Sequence, residues 1–120
     1  MTESILDTIK TKLNIPQDDT SFDDEILVDI NSAIMTLVQI GVGPSDGFVV
    51  NSNEETWSDF IGESKNYEGV KQYVYIKTLQ VFDNRTMASS VMEALTKKAT
   101  ELEWRLNVTA EMESAKSKRC

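Results

Sequence analysis

The residues with the most chemical promise are six carboxylates, Asp18, Asp19, Asp23, Asp24, Glu25 and Asp29, crowded into one short stretch. Carboxylates at that density can hold a divalent cation. An EF-hand loop, however, needs Gly at its sixth position and Glu at its twelfth, and the stretch does not supply them. A two-metal phosphohydrolase needs a second carboxylate motif on a facing helix. Glu101 and Glu103, or Glu111 and Glu113, stand two apart and so do not share a helical face. The chain contains no histidine and a single cysteine, Cys120. The commonest general base and metal ligand is therefore missing, and a Ser, Thr or Cys nucleophile has no imidazole to activate it. Gly41-Val42-Gly43-Pro44 follows a helical pattern and runs into proline, so it is no phosphate-cradling loop. The Asn84-Arg85-Thr86 and Asn107-Val108-Thr109 sequons are chance matches. We read the acidic stretch as a solvated helix start and expect no enzyme, no metal and no cofactor.

The net charge of −8 is unevenly divided. Residues 1–60 hold twelve acids against Lys10 and Lys12, whereas residues 61–120 hold eight acids against ten bases, for nets of −10 and +2. Such a chain will not bind nucleic acid by neutralising phosphates. Met-Thr-Glu-Ser lacks the basic start and apolar core of a signal peptide, and no run is long enough to span a bilayer. An intracellular origin without membrane contact is expected. One cysteine also rules out an intrachain disulfide.

Periodicity argues for helices throughout. Ser4 can cap a first helix with Ile5, Ile9 and Leu13 on one face, ended by Asn14-Ile15-Pro16. Asp23 is a plausible N-cap for a second, with Phe22 stapled onto Leu27 and Asp24 and Glu25 favoured by the helix dipole. Ile26, Ile30, Ala33, Ile34, Leu37 and Val38 form its core stripe. Val28, Met35 and Val42 form a second apolar strip that a lone small domain does not need. Residues 43–53, with Phe48-Val49-Val50, are a long loop or a short hairpin arm; Phe48 could equally fold back as a core plug. Asn53 is expected to cap a short helix from Glu54 to Ile61. The stretch from Val70 to Phe82 is apolar nearly all round, which marks a central helix enclosed by neighbours. The last helix, about Met87 to Val108, carries Ala88, Val91, Leu95, Ala99, Leu102 and Leu106 as its stripe, with Trp104 opposite. The expectation is an all-α fold, a small bundle of four to five helices over residues 1–109. Val74, Leu79, Phe82, Leu37, Ile34, Leu95 and Leu102 should share one core. Residues 110–120 lose the pattern and read as a tail.

Ile5-Leu6-Asp7-Thr8-Ile9-Lys10, the run Asp19-Thr20-Ser21-Phe22-Asp23-Asp24-Glu25-Ile26, and the exit Phe82-Asp83-Asn84-Arg85 carry a resemblance. With the amphipathic last helix, the chain resembles the small head–tail connector (head-completion adaptor) proteins of long-tailed double-stranded DNA bacteriophages over roughly residues 3–108. The resemblance implies a structural role for Asp23, Asp24, Asn84 and Arg85. It also implies a virion-neck subunit, assembled in the host cytoplasm into a closed ring of about twelve copies. That ring would sit between the portal protein and a stopper or tail-completion protein, with DNA passing through its channel without specific binding. The segment 43–53 departs from short family members.

Surplus apolar residues suit a subunit packed on both flanks. We assign Val28, Met35, Phe48, Val49, Val50, Trp57, Phe60 and Trp104 to subunit contacts. Met112, Lys116, Lys118 and Arg119 are assigned to a tail that docks on the portal. The competing class is an acidic regulator or DNA mimic that presents its −10 half to a DNA-binding protein; it would not need so many apolar strips.

Overall fold

A computed structural model describes residues 3–44, 46–62, 67–82 and 88–118, with side chains at 67, 82 and 109–118 outside the description. Five helices follow one another: α1 (Ile5–Lys12), α2 (Asp23–Gln39), α3 (Trp57–Ile61), α4 (Tyr67–Phe82) and α5 (Ser89–Lys118). The fold is all-α, and among the described residues the only β-type pairing is a lone bridge between Ser4 and Thr56.

Helix α4 lies between α2 and α5, and α1 packs across α2 and α4. That placement is what its composition demands, because a helix apolar on most sides must be covered on most sides. Val70, Tyr73, Val74, Ile76 and Thr78 are all buried; Val81, near the helix end, is exposed. Ile26, Ile30, Ala33, Ile34 and Leu37 of α2 meet α4 from one side, and Ala99, Leu102 and Leu106 of α5 close the other. Of the residues expected in one core, Ile34, Leu37, Val74 and Leu102 are buried, and Leu79 and Leu95 are half-buried. The Phe82 side chain lies outside the described set.

The helix ends follow the local chemistry. Asn14 adopts the left-handed conformation (φ 62°). Its N–H reaches Thr11 O and that of Ile15 reaches Lys10 O, at 3.1 and 2.9 Å. Gly41 (φ 100°) ends α2 in the same way, with Gly41 N–H on Val38 O and Val42 N–H on Leu37 O. Both are Schellman closures.

Three expected boundaries are corrected. Phe22, not Asp23, is the N-cap of α2, and it makes no side-chain cap bond. The short helix begins at Trp57 rather than Glu54. Thr56 and Asp59 form a reciprocal capping box there (3.1 and 3.0 Å), a stronger start than a lone Asn53. Helix α5 does not stop at Val108 but runs to Lys118. Losing an apolar stripe removes a reason to pack, yet Ala110, Glu111, Met112, Glu113, Ala115 and Lys116 are good helix formers with no Gly or Pro among them.

Candidate subunit interface

The acidic stretch is organised by a lysine. Lys10 on α1 is almost wholly buried, and its ammonium has three hydrogens to give. Two are met by Gln17 O at 3.1 Å and Asp19 O at 2.8 Å, and the Asp23 carboxylate stands 2.9 Å away as an ion pair. Asp23 thus spends its charge on Lys10 rather than on capping. Asp19 accepts from the Ser21 backbone N–H at 3.0 Å, and hydrogen bonds from Ser21 hold its carboxyl below the usual range. Asp24 stays exposed at the dipole-favoured start of α2. Among the described residues no group of three or more acids, cysteines or histidines is arranged to hold a metal ion.

The segment 46–53 is a loop, neither hairpin nor strand, and one side chain fixes it. Asn31 on α2 accepts from Val50 N–H at 2.7 Å and donates to Val50 O at 2.9 Å, satisfying both backbone groups of a buried residue. Phe48 stacks obliquely on Phe60, with ring centroids 5.1 Å apart. Gly43 makes room for that ring: a Cβ there would collide with Phe60. Clamped this way, the loop runs beside α2 and leaves an open apolar groove of about 550 Å³ lined by Val28, Ser32, Met35, Val38, Phe48 and Val49.

The residues assigned to subunit contacts therefore separate. Val28, Met35, Val49 and Trp104 are exposed, at 68, 59, 58 and 68%. Phe48 is half-buried. Val50, Trp57 and Phe60 are buried within the chain's own core and present no surface, which corrects their assignment to the flanks. Trp57 is held by its indole N–H, which donates to Thr8 Oγ1 at 3.0 Å, and by pairing of residues 3–5 with 55–57. Asn84, Arg85 and Arg119 lie outside the described residues. Met112, Lys116 and Lys118 fall on the helical backbone of α5, but their side chains are outside the description.

Three residues that position these surfaces carry no obvious sequence signal. Lys10 and Asn31 look like ordinary polar residues on helix faces. Tyr73, the third, donates from α4 to Glu103 of α5 at 3.1 Å. Burial, then the Glu103 charge, pushes its phenol well above the ordinary tyrosine range. Asn107 adds a bond from α5 to Ile40 O at 2.9 Å. The one hint in each case was a polar group placed next to core positions, such as Asn31 beside Ile30 and one turn from Ile34.

The described residues form an all-helical domain with a closed core and apolar surface to spare, the kind of surface through which proteins associate. The phage connector protein family model matches residues 5–113, and the chain belongs to that family. It is thus a connector protein of the phage neck. Comparison with curated proteins and with solved structures returned no match. Among the described residues no helix is long and apolar enough to cross a membrane.

Proposed function

We propose that the chain is a ring-forming head–tail adaptor. About twelve copies sit beneath the portal, contact a stopper or tail-completion protein on the other side, and surround the channel through which DNA passes. The observation that carries this reading is the surplus of apolar surface outside a filled core: Val28, Met35 and Val49 on one flank, Trp104 on another. Lone exposed apolar residues are ordinary, but three around one groove are the mark of an interface. Acidic side chains along a channel would keep DNA from adhering during passage.

The portal contact is assigned to the end of α5. Lys116, Lys118 and Arg119 make the last seven residues +3, which suits an acidic groove, and they lie beyond Leu106, the last buried residue among those described on α5. Deleting residues 110–120 should leave the unfolding temperature nearly unchanged and abolish attachment to portal-bearing heads. Truncated protein that completes heads at the normal level overturns the docking role. Absence of the full-length chain from purified particles overturns the adaptor reading itself.

A further inference from the structure

We propose that Trp104 of one copy seats in the Val28–Met35–Val49 groove of the next, a head-to-tail contact that repeats around the assembly. This rests on the ring reading above and names the surfaces that would close it. The two features lie on opposite flanks of the α2–α4–α5 layer. On α2, Ile30, Ile34 and Leu37 are buried toward the core, so Val28 and Met35, seven residues apart, face away from it. On α5, Leu102 and Leu106 are buried, and Trp104 midway between them points outward. A knob on one flank and a groove on the other can be satisfied in every copy at once only by a heterologous contact.

Charge selects the same pairing. The groove belongs to the half of the chain with a net of −10, and Asp24, Glu25 and Asp46 are exposed on α2 and the loop that border it. Two grooves brought face to face would set these acids against each other, a juxtaposition that is costly at an interface. Trp104 belongs to the half with a net of +2, and Lys97, seven residues before it on the same helical face, is exposed. A large indole is also the side chain that most often anchors such contacts, buried in an apolar pocket at the centre of the patch.

The test keeps Trp104, Val28, Met35 and Val49 in place and sets one thiol in the groove lining and one beside the knob. In a Cys120→Ser background, Ser32→Cys in the groove and Thr100→Cys, one turn from Trp104, are made separately and purified as full chains. Mixed at high concentration with a short bis-maleimide, the two should give a covalent hetero-pair. The double variant should give a ladder of oligomers, in solution or in particles. Adding Trp104→Ala should reduce the crosslinked fraction at least tenfold. Pairing of Ser32→Cys with itself in preference to Thr100→Cys overturns the proposal. So does an uncrosslinked monomer both in concentrated solution and in the particle. A double variant found in particles without a ladder sinks this contact and leaves the adaptor reading standing. A ladder from protein that never enters particles supports the contact and sinks the neck role.

Discussion

Two connecting segments of the molecule solve the same problem with opposite chemistry. Residues 13–22 join α1 to α2, and residues 40–56 join α2 to α3; each must satisfy backbone groups while crossing the core's edge. The first does it with a charge. One buried ammonium gathers Gln17 O, Asp19 O and the Asp23 carboxylate. The second does it with a neutral amide, Asn31 bonding both backbone groups of Val50. A buried ammonium needs a counter-charge, so the first segment must carry acids close by. An amide needs none, so the second is free to place Phe48 and Val49 beside Val28 and Met35. The stretch with the most chemical promise is thus a structural tie, and the loop assigned to subunit contacts builds one wall of an open apolar groove.

The comparison is tested most severely at Lys10. Lys10→Ala removes one member of a mostly buried pair and orphans two carbonyls. Because Asp23 keeps 24% of its side chain exposed, the loss should fall toward the lower end of the range for broken buried pairs, about 3 kcal/mol. Urea unfolding checks it. Lys10→Met, which keeps the stem but not the charge, should be nearly as destabilising if the ammonium is what matters. Full stability in Lys10→Met would show that packing alone holds the segment.

Asn31→Ala comes next. It leaves the buried N–H and C=O of Val50 without partners, which should cost about 1–3 kcal/mol. It should also free Phe48 and Val49, so proteolysis between α2 and α3 should accelerate while the segment between α1 and α2 stays resistant. Equal acceleration in both segments would erase the distinction drawn between them.

How far such features were legible follows from what their signals depend on. Helix periods, the Asn14 and Gly41 stops and the enclosure of α4 are consequences of local pattern, and they could be read directly. Trp57 and Phe60 are assigned to the flanks by pattern and lie in the core instead, because an aromatic on a short helix looks the same facing in or out; the bridge to residues 3–5 and the hole left by Gly43 decide it. Val50 hangs on one distant amide, nineteen residues away. Lys10 was invisible for a related reason: a lysine in the last turn of a short helix usually lies in water. The reach of α5 was underestimated because helix propensity persists after the apolar stripe has gone.

A third link lies outside both segments and responds to pH. Tyr73 binds its proton more tightly in the folded protein than in the unfolded chain, through burial and the Glu103 charge. Its contribution is therefore complete below the ordinary tyrosine pKa of about 10 and is lost as pH rises above it. Wild-type protein should lose stability above that pH, and Tyr73→Phe should lose less. Identical alkaline profiles would remove Tyr73 from the α4–α5 tie.

The smallest effect belongs to Asp29, which sits on α2 between the two ties. Asp23 has Lys10 to balance it, whereas no ion pair among the described residues joins Asp29. Burial, and then the nearby Glu25 charge, raise its carboxyl pKa above the ordinary value of 3.8. A raised carboxyl holds its proton more tightly when folded, so folding is favoured at low pH and disfavoured once pH has risen past the folded pKa. Asp29→Asn should therefore stabilise the protein at neutral pH, by no more than roughly half a kcal/mol given how much solvent reaches the group. The gain should vanish below pH 3.8, where the wild-type carboxyl is protonated in both states. Thermal unfolding at pH 7 and pH 3 measures both limits. A loss of stability at pH 7 would mean that Asp29 has a cationic partner after all, and that α2 is tied by charge at more than one point.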